Sequence, residues 1–304
     1  MKADSNLEKL LSEGKFVLTA EIGLPISASA ETLKKKAGLL KNKADAVIVS
    51  DGHRAKVHLS NLASSILLKQ QKIEPIMEIS CRDRNRISIQ SDVLGAASLG
   101  IRNILCTAGD HQKLGPFPGS KHCYDMDSTQ EIMLLKQMRD EKKLSNGQEL
   151  AEAPSVLIGT EENPFSDPLE LRILLMAKKI AAGADFIITK PVFDVARFTG
   201  WMKEVKAKGL TEKVAIIASI LPLKSLEAAK ETKEWPSFLV PDEIVSRIEK
   251  ASDAQAEGVK ICQNIASKVK GIDGVKGINI IAVDNEEAVA SIAEGAGLLP
   301  RPTA

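Results

Sequence analysis

The sequence predicts an α/β protein folded as one (β/α)8 (TIM) barrel, and three observations predict it. Eight short, nearly continuous apolar runs recur along the 304 residues. Amphipathic helical stretches separate them, the alternation expected of a parallel sheet. No glycine-rich phosphate turn follows the first run, although an open doubly wound sheet usually has one there.

The runs read KFVLTAEI (15–22), DAVIVSD (45–51), EPIMEIS (74–80), RNILCTA (102–108), SVLIGT (155–160), DFIITK (185–190), KVAIIAS (213–219) and GINIIAV (277–283). Strands covered on both faces need such unbroken apolarity. Between them lie helical patterns such as ETLKKKAGLL, HLSNLASSILLKQ, ISIQSDVLGAASLG and PLELRILLMAKKIAAGA. Gly100, Gly183 and Gly295 are read as helix stops. Eight strands close a barrel. Residues 1–304 form one domain in this reading, with a short N-terminal helix and insertions at about 109–127 and 233–251. Long loops in compact domains are often functional.

Composition narrows the function. With 41 basic and 40 acidic side chains the net charge is +1, too small a field to favour nucleic acid. Aromatic residues are 3% of the chain, too few for a base-stacking platform. The cysteines at 81, 106, 123 and 262 form no Cys-x-x-Cys pair, and His53, His58, His111 and His122 match no familiar ligand spacing, so no metal site is expected. Long cysteine spacing points to a reducing compartment. The N-terminal MKADSNLEKLLSEGK has no apolar signal region, and no run approaches a membrane span. A cytoplasmic protein is expected.

A barrel carries its chemistry at the C-terminal ends of its strands. Those ends supply Glu21, Ser50 with Asp51, Glu78 with Ser80, Asp110, Thr160 with Glu161, Lys190 and Asp284. Glu21 ends an apolar strand, where desolvation raises a carboxyl pKa and keeps a proton donor near neutrality; the plainer reading is a carboxylate paired with a lysine. Lys190 is a Schiff-base amine, a charged donor to substrate, or half of an ion pair with a neighbouring acid. SCRDRNR (80–86) is either a phosphate clamp or a solvated loop.

The segments TAEIGLP (19–25), SCRDRNRISIQSDVLGAASLGIRNILCTAGD (80–110), YDMDS (124–128), IGTEENP (158–164), AGADFIITKPVFD (182–194) and SILPL (219–223) together resemble the methylenetetrahydrofolate reductase family of flavin-dependent barrels. The resemblance runs from about residue 15 to 301. It implies reduction of 5,10-methylenetetrahydrofolate to 5-methyltetrahydrofolate in one-carbon metabolism, by hydride from reduced flavin (FAD or FMN). By resemblance Glu21 is the general acid and Asp110 the flavin-proximal aspartate. Ser50, Asp51, Glu78, Ser80, Gly109, Asp110, Tyr124, Asp125, Asn163, Lys178 and Lys179 are expected to border the flavin. Glu21, Asp110, Lys190 and Phe193 are expected at the folate.

The chain departs from the family pattern in several places. Ile-Gly-Leu-Pro follows Glu21, Glu78 replaces a histidine, Lys190 replaces a glutamine, Asn285 replaces a basic residue, and KSLEAA (224–229) lacks the usual glutamine and aromatic. The flavin framework is therefore better kept than the folate and nicotinamide contacts. Similar short reductases of anaerobic one-carbon pathways take electrons from a separate iron–sulfur partner subunit, so the resemblance implies either NAD(P)H or such a partner as donor. Homo-oligomerisation is left open. Two other readings stand beside it: a Schiff-base lyase using Lys190, and a non-catalytic flavin-binding or assembly subunit.

Overall fold

The computed structural model describes residues 1–302. Its eight strands are β1 (Val17–Glu21), β2 (Ala46–Val49), β3 (Pro75–Ser80), β4 (Asn103–Thr107), β5 (Leu157–Glu162), β6 (Phe186–Thr189), β7 (Ala215–Ile220) and β8 (Val275–Ile281). They pair in parallel in chain order, and β8 pairs back onto β1 to close the barrel. All eight predicted strands are present, each within a few residues of its expected limits.

The helices are α1 (Asn6–Ser12) before β1, α2 (Glu31–Leu40), α3 (Asn61–Gln70), α4 (Arg86–Ser98), α5 (Ser128–Lys136), α6 (Leu169–Ala182) and α7 (Val195–Ala207). Three more follow β7: α8 (Leu226–Glu234), α9 (Asp242–Lys250) and α10 (Ala254–Lys270), and α11 (Ala288–Gly295) ends the described fold. Side chains on a strand alternate between its faces, so one strand serves two cores. Outward residues such as Leu18, Val47 and Ile216 pack under the helices, and Ile79, Ile104 and Ile158 do so beneath α4 and α5. Inward residues Val17, Ile76, Leu105, Leu157, Phe186 and Ile217 fill the barrel.

The barrel's N-terminal end is sealed by α1, whose Leu7 and Leu10 are buried among those inward side chains. Glu74, just before β3, accepts from the backbone N–H groups of Asn6 (2.7 Å) and Leu7 (2.9 Å). A carboxylate at a helix N-terminus satisfies orphan donors and opposes the positive end of the dipole. Above this floor a polar layer begins: Thr19 donates to Asn279 (3.0 Å), which donates to Ser219 (3.1 Å).

The helix stops hold at Gly100 and Gly183, where φ is +75° and +126°. Gly295 is corrected. It is the last helical residue of α11, and Gly297, at φ +63°, makes the left-handed turn after it. The 109–127 insertion is a loop with one short helical turn, and 233–251 comprises the end of α8, a connector and α9. A third excursion, the π-helical turn Gln137–Glu141 and the reverse turn behind it, was not anticipated. It carries no apolar period to mark it.

Candidate functional site

The open C-terminal end of the barrel is a cavity of about 230 Å³ lined by inward strand-end side chains and the loops above them. Glu21 ends β1 on this face and is only 9% exposed. Burial, then the nearby Glu161 and Asp110 carboxylates, push its pKa from the ordinary 4.5 up to about 7, against the opposing pull of Lys190. Glu78, two residues from the end of β3, is held well above the usual carboxylate range by burial and then by Glu161, Glu21 and Asp51. Thr107 on β4 donates to it at 3.2 Å.

Lys190 follows β6 and pairs with Glu161 on β5 at 2.8 Å. Burial disfavours its ammonium, yet Glu161, Asp110 and Glu78 outweigh that and hold its pKa above the ordinary lysine value. His53, in the turn after β2, places Nδ1 3.5 Å from Glu21 Oε1. Burial, then Arg54 and Lys190, lower its pKa to about 3, so this imidazole is neutral at physiological pH and its contact with Glu21 is not an ion pair. Glu21, Glu78, Glu161 and Asp110 thus crowd around Lys190, and protonation of Glu78, with Glu21 poised near neutrality, relieves part of the repulsion.

Beside the mouth runs a groove that shares Thr107, Glu161 and Lys190 with it and ends at Asn163, Arg172 and Lys179. Lys179 donates to Glu161 O (2.6 Å) and lies 3.3 Å from Glu162. Arg172 Nε is buried without a partner. Gly109 borders the mouth at φ +78°, where a Cβ would come within 2.6 Å of Ser80 Oγ. The glycine thus lets this loop pack tightly on Ser80 and Arg82. In the side groove an anionic group can meet Arg172 and Lys179, which fits the phosphate-bearing end of a flavin.

Of the expected site residues, Glu21, Asp51, Glu78, Gly109, Asp110, Glu161 and Lys190 share the mouth. Asp51 is engaged by the Arg84 guanidinium and by the Ser80 N–H (2.9 Å). Ser50 and Ser80 are buried behind the cavity wall. Thr160 faces outward by strand alternation, donates to Cys106 O (3.1 Å) and lines the side groove, with Asn163 and Lys179. Tyr124 donates to Gly109 O at 3.4 Å from a ring cluster with His111 and His122.

Other expected residues fall elsewhere. Asp125 pairs with Arg86 at 2.8 Å. Lys178, one helical step from Lys179, faces a separate cleft beside Met133 and Lys136. Phe193 is buried in the core against the helices. Asp284 pairs with Lys36 at 2.6 Å. The CRDRNR arginines are committed to protein partners: Arg82 to Asp83 and the Asp110 carbonyl, Arg84 to Asp51 and Asp92, Arg86 to Asp125. They form loop structure rather than a free phosphate clamp.

Arg54, Trp235 and Phe238 also line the mouth and were not singled out from the sequence. The available signal was a tryptophan, one of two in the chain, inside the 233–251 insertion.

The family model described as methylenetetrahydrofolate reductase matches residues 6–297. The chain is 26% identical over 259 residues to methylenetetrahydrofolate reductase 2 of Saccharomyces cerevisiae, covering 80% of this chain and 40% of that one. It is 25% identical over 232 residues to the 5,10-methylenetetrahydrofolate reductase of Salmonella typhimurium, covering 75% and 72%. The chain thus spans well under half of the yeast relative and most of the bacterial one. Among solved structures, a Clostridium thermocellum protein described as binding two copies of 5-methyl-5,6,7,8-tetrahydrofolic acid superposes with a TM-score of 0.66 at 15% identity, over 96% of this chain and 98% of that one. A 2,3-dimethylmalate lyase superposes at 0.53 with 12% identity, over 99% and 88%. At such identities the structural likeness speaks for the barrel alone.

Proposed function

The chain belongs to the methylenetetrahydrofolate reductase family, and from that membership we propose that it reduces 5,10-methylenetetrahydrofolate to 5-methyltetrahydrofolate. The observation that carries the reading is Glu21, a desolvated carboxyl at the barrel mouth with a pKa of about 7. Methylenetetrahydrofolate is a cyclic aminal whose methylene carbon accepts hydride only after its bond to N10 breaks. Glu21, protonated, donates to N10 as that bond opens and leaves a cationic N5 iminium. Glu161 and Asp110, facing the same space, favour this positive charge electrostatically. A bound flavin supplies the hydride to the methylene carbon. Lys179, Arg172 and Asn163 would meet its phosphate-bearing end, whether FMN or FAD. A bound flavin would take its electrons from NAD(P)H or from a partner redox subunit.

The raised pKa of Lys190 keeps its amine protonated and non-nucleophilic, which speaks against the Schiff-base lyase. Anaerobic flavin-loaded protein should be bleached by methyltetrahydrofolate, the reaction run in reverse. Loaded protein that stays oxidised would refute the reading; adding NADH or NADPH to the same sample tests the donor.

The pH dependence has a definite sign. Reduction of methylenetetrahydrofolate requires protonated Glu21, so its rate falls as pH rises through about 7; bleaching by methyltetrahydrofolate requires the carboxylate and rises over the same range. Lys190, Glu161, Asp110, Glu78 and neutral His53 all face Glu21 and set that midpoint. Stopped-flow rates from pH 5.5 to about 8.5 in both directions check the opposed limbs.

A further inference from the structure

The connector between α8 and α9 leaves the β7 side of the barrel, yet it touches loops from two distant strands. Arg54, after β2, lies over the Trp235 ring at 4.9 Å. Asn163, after β5, donates to Ser237 O at 3.1 Å. Residues 235–238 therefore form a strap across the mouth, and Trp235, Ser237 and Phe238 line the cavity beneath it. The β2 anchor is a strained turn: Gly52, Arg54 and Ala55 all have positive φ, at 69°, 53° and 53°. Such strain persists only where surrounding structure fixes it, and it clusters at ligand clamps.

The two levels of the cavity differ in chemistry. At the strand ends it holds a protonated Glu78, Glu21 poised near neutrality and Glu161 paired with Lys190, with Asp51, Asp110 and Arg82 also on the lining, so it offers hydrogen-bonding carboxyls to a neutral or cationic head. Its rim holds an aromatic wall and Arg54, whose Nε is buried without a partner and whose terminal nitrogen lies 3.9 Å from the exposed Glu231 carboxylate. A ligand matching both levels has a basic heterocycle at one end and a flat aromatic linker carrying carboxylates at the other.

Building on the reductase reading, we infer that Trp235 and Arg54 are specificity-determining residues, which bind the benzoyl ring and the carboxylate tail of the folate while the strand-end acids bind its pterin. This makes the enzyme selective for folates over simple reduced pterins.

The test is anaerobic calorimetric titration of flavin-loaded protein, its flavin first reduced with dithionite so that no hydride can be taken up, with methyltetrahydrofolate and with 6-methyltetrahydropterin, which has no benzoylglutamate. Trp235→Ala and Arg54→Gln are each expected to weaken methyltetrahydrofolate binding about tenfold or more, in the range of buried aromatic pairs and charge-assisted contacts. Binding of the truncated pterin stays at its wild-type value, which also reports an intact fold, and Trp235→Phe recovers most of the loss. The inference is overturned if the variants bind methyltetrahydrofolate normally, if both ligands weaken equally, or if the wild type binds methyltetrahydrofolate no better than the truncated pterin. Binding that discriminates while the oxidised flavin-loaded protein shows no bleaching would sink the reductase reading and leave this assignment standing.

Discussion

Glu21→Gln is expected to slow methyltetrahydrofolate-dependent flavin bleaching at least 100-fold while leaving flavin affinity unchanged. The amide keeps the size of the side chain and its place at the end of β1, but neither gives nor takes a proton near neutrality. General acid–base catalysis contributes about 10²–10⁴-fold, and three neighbours of Glu21 on the mouth are poor substitutes. Glu78 is held protonated, Glu161 is paired with Lys190, and His53 is neutral with a pKa of about 3. The pH limb of the residual rate should vanish as well. A tenfold or smaller loss with the limb intact would assign the proton to another residue.

The same substitution has a stability signature of opposite sign. Folding raises the Glu21 pKa from 4.5 to about 7. Below the lower value both states hold the proton and nothing is lost. Between the two, the unfolded chain ionises first and stability falls. Above about 7 the penalty levels off, on the order of 3 kcal/mol. Glu21→Gln should therefore melt higher than wild type at pH 8 and coincide with it near pH 4, as thermal unfolding at the two pH values would show. The most active residue would be the least comfortable one.

The largest structural effect is expected at the barrel centre. Phe186 is fully buried in the barrel interior, and its ring occupies the space where Gly159 on β5 has no side chain. Phe186→Ala leaves a cavity in a closed ring of strands that cannot collapse, so a loss of about 3–5 kcal/mol is expected. Gly159→Ala drives a methyl into the ring and should cost about 1–3 kcal/mol. Combining Gly159→Ala with Phe186→Leu should cost clearly less than the sum of the single changes, because the smaller side chain vacates the contested volume. Urea unfolding midpoints of the three variants measure this. Strict additivity would mean that the two positions do not compete.

The barrel was legible because its strands are so uniformly apolar that period and length leave little choice, and alternation then places Glu21, Glu78, Glu161 and Lys190 on one inner face. What the sequence could not show is direction beyond the strand ends. Lys178 and Lys179 are neighbours on a helix and reach separate clefts. Arg54 and Trp235 lie 181 positions apart, and only the closed ring brings them together. Loop residues carry no period, so their partners depend on the whole topology.

The sealed floor has a consequence for how the protein is made. Leu7, Leu10 and β1 are synthesised before the other seven strands of the barrel, but α1 buries against strands as late as β7 and β1 pairs with β8. At about 5–20 residues per second, translation takes tens of seconds to deliver that last strand. Through that interval the nascent chain carries an apolar helix and an open strand edge, the features that other chains or holding chaperones engage. The first-made element of the barrel is among the last to find its complete set of neighbours.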